Sequence, residues 1–174
     1  EVSSATAVSQ VFLNTNLAAA GGVLAAMFMS LAVTGKMDVT MAINGAIAGL
    51  VSITADPLSP TAGTAVIVGA IGGAIVYASI VFIEKAGIDD PVGAISAHGT
   101  VGIWGVLVVS FTGGASFGGQ LIGVLMIAGF TYLASLGTIL VIDKLITPIR
   151  ASDAEQEAGL DISEVGIEAY PEFK

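Results

Sequence analysis

Five stretches of almost uninterrupted apolar sequence, each near the length that crosses a bilayer, constrain this chain more than any other feature. With about 20 predominantly apolar residues per crossing, the runs fall at about Val11–Thr34, Val39–Ala55, Ala62–Ile83, Pro91–Phe111 and Gly119–Ile142. Charged and turn-forming residues gather between them, in Gly35–Asp38, Asp56–Pro60, Glu84–Asp90 and Thr112–Gly118, and connectors this short force antiparallel neighbours. The expected fold is all-α: a polytopic membrane helix bundle over residues 11–147, preceded by an extracellular connector (1–10) and followed by an acidic cytoplasmic tail (148–174). Five buried helices of a soluble protein would need a charged coat. Only 11% of the 174 residues are charged, against roughly 25% in ordinary globular chains.

Composition removes several functions. There is no cysteine and a single histidine, which excludes a disulfide scaffold, a thiolate metal site and any multi-histidine centre within the chain. No metal ligand set and no cofactor are expected. A net charge of −9 with five scattered bases argues against nucleic acid, whose binding depends on Lys and Arg at the phosphates. The first residue is Glu1 rather than Met, with no basic-then-apolar leader, so a processed product or a fragment is expected.

Lys36 lies in the first connector, Lys85 in the third, and Lys144, Arg150 and Lys174 follow the fifth span. All five bases thus fall on one side, which the positive-inside rule makes cytoplasmic. The segment's N-terminus is expected outside and its C-terminus in the cytoplasm. From Ala151 onward seven carboxylates gather in an acidic tail. Low hydrophobicity and like charge favour disorder there, but Leu160, Ile162, Val165, Ile167, Tyr170, Pro171 and Phe173 are more apolar and aromatic than disorder needs, and some docking is expected.

Glycine and alanine saturate the spans, as in Gly45-Ala46-Ile47-Ala48-Gly49 and Gly69-Ala70-Ile71-Gly72-Gly73. In lipid, small residues let helix backbones approach closely, so a tightly packed bundle is expected. The Gly99, Gly102, Gly105 series sits inside an apolar span rather than after a strand and is assigned no nucleotide chemistry. His98 stands apart as the ionisable residue well inside a span, with Ala94, Ile95, Val101 and Gly102 one turn away. An intramembrane ionisable group is a functional-site hypothesis by default, with a hydrogen bond tying two helices as the plainer alternative. Apolar surroundings favour a neutral ring with one donor and one acceptor nitrogen. Ser96, His98 and Asp90 carry the letters of a hydrolytic triad, but on one regular helix they point apart and are not expected to converge. Asp89-Asp90-Pro91 reads instead as a helix start, with a carboxylate accepting backbone N–H groups and proline in the first turn. Asn44, Ser52 and Thr54 on the second span are polar enough to bond a neighbouring helix or to line a pore.

The run from Asp89 through His98 to Gly105 resembles the signature helix in the second half of the ammonium transporter family, which is related to Rhesus proteins. Asn44-Gly45 through Thr54 resembles the helix two crossings earlier, Phe12 to Thr15 the start of the one before, and Gly159-Leu160-Asp161 through Tyr170-Pro171 the family's cytoplasmic tail. The resemblance implies an ammonium channel, not an enzyme, in the cell membrane, usually a homotrimer with one pore per subunit and two inverted repeats. The five spans would fall on the second inverted repeat and the last helix. The N-terminal half, which carries the other pore histidine, would be missing, and this polypeptide alone should not conduct. His98 matches the second pore histidine and Ala94 a position lining the same pore, to which Asn44 and Thr54 are added as pore-lining candidates. Gly159, Leu160, Asp161 and Tyr170 match a regulatory tail that in relatives responds to PII-type signal proteins. The substrate implied is ammonium or ammonia; an ammonium-sensing receptor domain of the same fold is the alternative. Two departures stand out: Val165 replaces a common histidine, and Gly93 a common carboxylate, which suggests a different pore entrance.

Overall fold

A computed structural model describes residues 2–172; Glu1, Phe173 and Lys174, the last counted among the cytoplasmic bases, lie outside the described residues. The described residues form helices joined by short turns and irregular segments, with no strand among them. Five long elements follow one another: α1 (Val2–Thr34), α2 (Val39–Ile53), α3 (Ala62–Lys85), α4 (Ile95–Thr112) and α5 (Phe117–Leu145), with a short α6 (Asp153–Ala158) after them. The chain divides into two compact units, Glu1–Leu125 and Met126–Lys174, the boundary falling within α5. Four of the helices, all but α2, are long and apolar enough to cross a membrane.

Helix limits follow local chemistry. α1 begins at Val2, well before the expected Val11, because residues 2–10 contain neither proline nor glycine; the connector assigned there is helical backbone. Asp38 caps α2, its carboxylate accepting the Thr40 N–H at 2.7 Å, the Thr40 hydroxyl at 2.6 Å and the Met41 N–H at 3.3 Å. The Thr40 hydroxyl first, then these two N–H groups, hold that carboxyl below its ordinary value. Thr61 caps α3 through the Thr64 N–H. α2 has 15 residues, about 22 Å of helix, which falls short of a hydrocarbon layer of about 30 Å. The chain beyond it, from Asp56 to Pro60, folds back against α1. There Asn14, fully buried, donates its amide N–H groups to the Pro57 carbonyl at 2.9 Å and the Pro60 carbonyl at 2.8 Å. Away from water these loop carbonyls need such a partner.

In the first unit α1 packs on α2 and α3, and α4 lies against α2 and α3. The contacts are backbone on backbone. A Cβ on Gly45 would stand 2.6 Å from the Gly22 carbonyl oxygen, one on Gly73 would collide with that same oxygen, and one on Gly49 or Gly69 with the carbonyl of Ala18. The interior is accordingly built of small groups: the largest fully buried side chains are Val76, Val101, Asn14, Ser30, Ser52 and Ser96. Most of the large apolar residues point outward, Phe12 at 68%, Phe82 at 71% and Phe111 at 76% exposure, with Ile53, Tyr77, Ile80 and Ile83 among those buried, and α5 buries none of its residues. In water such a surface would be a large aggregation-prone patch; against hydrocarbon it carries no penalty. This is the inside-out distribution of an integral membrane bundle.

Replacing Gly22 by leucine is expected to destabilise the bundle by about 3 kcal/mol or more, because the obstructing atoms are backbone and cannot rotate away. Gly123→Ala, where a Cβ meets nothing within 4 Å, is expected to be neutral. Thermal unfolding and monodispersity in detergent measure both.

Candidate functional site

The start of α4 differs from the sequence expectation. Pro91 is not in the helix's first turn: Pro91 and Val92 form a turn closed by the Gly93 N–H on the Asp90 carbonyl at 3.0 Å, Gly93 has φ +73°, and α4 proper starts at Ile95. Only glycine takes that backbone conformation without strain, and the Asn44 amide oxygen stands 3.0 Å from where a Cβ would be. A carboxylate side chain there would be strained by the backbone and crowd the Asn44 amide. The turn brings Asp90 back over the helix start, where it accepts the Ile95 N–H at 3.0 Å and both the N–H and the hydroxyl of Ser96 at 3.2 Å. Asp90 and Ser96, expected to point apart, therefore meet; His98 does not join them. Partial burial pushes the Asp90 carboxyl up, but the Ile95 and Ser96 hydrogen bonds outweigh it and hold the group below its ordinary value of 3.8.

The first part of α4, Ile95–Thr100, is π-helical, and Val101–Thr112 continues as α-helix. The wider turn is seen in the Val101 N–H reaching the Ser96 carbonyl, five residues back. Such turns inside α-helices are rare and frequently mark functional positions. His98 lies in this segment. Ser96 and Ala97 are buried, whereas Ala94, Ile95, His98 and Gly99 are exposed on the unit's surface. The His98 ring makes no hydrogen bond to any described residue, so it is not tying two of these helices together.

Asn44 and Thr54 lie near opposite ends of α2, in different clefts. Asn44, half-buried and donating to the Thr40 carbonyl at 3.1 Å, lines a cleft of about 320 Å³ with Ile80, Glu84, Asp90 and Gly93. Thr54, exposed and donating to the Leu50 carbonyl at 2.6 Å, lines a second of about 340 Å³ with Val51, Gly102, Gly105 and Val106. Along α4, His98 falls between Gly93 of the first cleft and Gly102 of the second, and lines neither. Between the clefts the α2–α4 seam is filled by Ala48, Ala97 and Val101. Among the described residues no group of three acidic or histidine side chains could hold a metal ion.

In the second unit the tail is ordered by its own polar groups. Ser152 and Glu155 cap α6 reciprocally, the Ser152 hydroxyl first among the groups that hold the Glu155 carboxyl low. Gly159, at φ +96°, ends α6 and Leu160 follows. Asp161 closes a loop, accepting the Ala169 N–H at 2.7 Å and the Ile162 N–H at 3.0 Å. The Ala169 bond leads the causes that keep its carboxyl below the ordinary value. Leu160 and Tyr170 are exposed.

Sequence reasoning missed two buried contacts: the Asn14 bonds to the proline loop, and a hydrogen bond from Ser79 on α3 to Thr100 on α4, 2.9 Å. Their only sequence signal is a polar residue inside an apolar span, which does not reveal its partner.

Residues 2–170 match the description of the Ammonium Transporter Family. The chain is 38% identical to the ammonium transporter Amt2 of Archaeoglobus fulgidus, over 95% of this chain and 40% of that protein. Among solved structures it is similar to a "Sensor Amt Protein", with a TM-score of 0.79 and 32% identity over 90% of this chain and 42% of that one. It is also similar to Mep2 of Candida albicans, with a TM-score of 0.73 and 27% identity over 84% and 37% of the two chains. The chain thus spans about 40% of the length of the curated relatives it matches.

Asp90→Ala is expected to lower stability by about 1–2 kcal/mol at neutral pH, as loss of a helix cap does. Because the folded carboxyl ionises below 3.8, its contribution is fully present above that pH and is lost as pH falls through the depressed folded value. Unfolding of both proteins across pH should show the gap between them closing only in that acid range.

Proposed function

Since the chain belongs to the ammonium transporter family, we propose that it is the C-terminal part of an ammonium channel, conducting ammonia or ammonium through a hydrophobic pore lined by His98. The observation that carries this reading is the imidazole itself: exposed near the start of an apolar span, bonded to no described residue, and placed in sequence between the residues that line two clefts. The family is one of transporters, not enzymes.

The physical chemistry supports that role. Ammonium entering an apolar passage loses hydration that hydrocarbon walls cannot replace, so it must shed its proton or find a polar relay. An uncharged imidazole accepts a hydrogen bond from an N–H of ammonia or donates one to its lone pair, and a pair of imidazoles can pass a proton. Hydrated sodium and potassium have no proton to lose. Ala94, exposed one turn away, keeps the wall beside the ring small, and Asn44 and Thr54 supply polar groups toward the two mouths. On this reading the N-terminal half supplies the second histidine and the facing wall, and His98 is exposed here because that wall belongs to it. The complete protein is a homotrimer with the tail residues Gly159, Leu160, Asp161 and Tyr170 at the cytoplasmic face, where a PII-type protein could act. The N-terminus of this segment lies outside.

A second reading, an ammonium-sensing receptor domain, is favoured by the likeness to the Sensor Amt Protein. Uptake of labelled methylammonium by the complete protein separates the two, since a receptor binds the ion without accumulating it. For the channel, His98→Ala is expected to change uptake or its selectivity over potassium by about ten-fold, equivalent to about 1.4 kcal/mol of barrier. Unchanged uptake and selectivity would leave His98 a structural residue.

A further inference from the structure

The hydroxyls of the spans mostly bond within their own helices. Ser52 donates to the Ala48 carbonyl, Thr54 to Leu50, Thr112 to Val108 and Thr138 to Ala134. Ser79 does otherwise. Buried at 8% exposure, it donates across to the Thr100 hydroxyl of the neighbouring helix at 2.9 Å. Thr100 is the last residue of the π-helical segment, two residues after His98.

That position matters because of what a π turn does to direction. Each residue of an α-helix turns the chain by about 100° and each residue of a wider turn by less, so moving the wide turn by one residue re-aims the side chains that it passes over, and His98 lies within it. A wide turn in a chain of otherwise α-helical preference needs something to hold it in place. At its start the Asp90 carboxylate holds the N–H groups of Ile95 and Ser96. At its end Thr100 is tied to α3, and one turn further the Trp104 indole N–H donates to the Val68 carbonyl of the same helix at 3.3 Å.

We infer that Ser79 and Thr100 form a positioning pair: their hydrogen bond fixes where the wide turn ends, and so the face on which His98 presents its ring. Neither residue touches the permeating molecule; both act through His98. The inference rests on His98 lining the pore, and it adds a determinant on α3, a helix that carries none of the pore-lining candidates.

The test uses the complete protein, with methylammonium uptake followed against concentration and pH and normalised to folded protein. Ser79→Ala and Thr100→Val each remove the bond while keeping the volume close. One hydrogen bond is worth about 1 kcal/mol, so each is expected to lower the maximal rate about five-fold and to alter the pH profile. The double variant should be no worse than either single one, and Thr100→Ser, which keeps a hydroxyl, should recover the wild-type rate. Alanine is a good helix former, so Ser79→Ala carries the test even if Thr100→Val fails to accumulate. Variants with lower thermal stability but wild-type rate and pH profile would reduce the pair to a structural tie and overturn the inference. His98→Ala is measured alongside. If it changes uptake while the pair does not, the positioning role fails and the pore reading stands; if it changes nothing, both fail.

Discussion

The interaction on which everything else rests is the contact of peptide backbone with peptide backbone where α1 crosses α2 and α3. Ala18 and Gly22 of α1 meet Gly45 and Gly49 of α2 on one side and Gly69 and Gly73 of α3 on the other, with carbonyl oxygens lying where side chains would otherwise stand. Lipid supplies little hydrophobic drive for helices to associate, so dispersion contacts between close surfaces take its place. Packing at this distance makes α1, α2 and α3 a stiff scaffold on which α4 is laid.

The scaffold is regular; α4 is not. Its first residues turn back at Gly93, are gripped by Asp90, run as a wide helix to Thr100 and only then become α-helical. A departure of this kind from uniform helix is where local strain and function tend to coincide.

The five helices could be read from hydropathy alone, because apolar runs of this length are stable in lipid as helices, although α2 is shorter than a crossing; the small-residue packing followed from composition. Asp90 was legible as a cap from its place before a proline. What was not legible was geometry that depends on one backbone angle: with Gly93 in the left-handed region the helix starts four residues later, and Asp90 meets a serine that a regular helix would have turned away. The Asn14 bonds to Pro57 and Pro60 join residues more than forty positions apart, and the Ser79–Thr100 bond joins two helices; no local pattern encodes either. Residues 1–10 are expected as a connector because the apolar run starts at Val11, yet the helix extends back to Val2, since hydropathy marks where a span is apolar and not where a helix without a breaker must begin.

The brevity of α2 has a consequence for the loop that follows it. A helix about one and a half turns shorter than the hydrocarbon layer hands over early to irregular backbone, and the Pro57 and Pro60 carbonyls of that backbone take their partner from Asn14 on α1. An apolar side chain at position 14 would leave both oxygens stranded, so one amide on a neighbouring helix is what allows α2 to stop where it does.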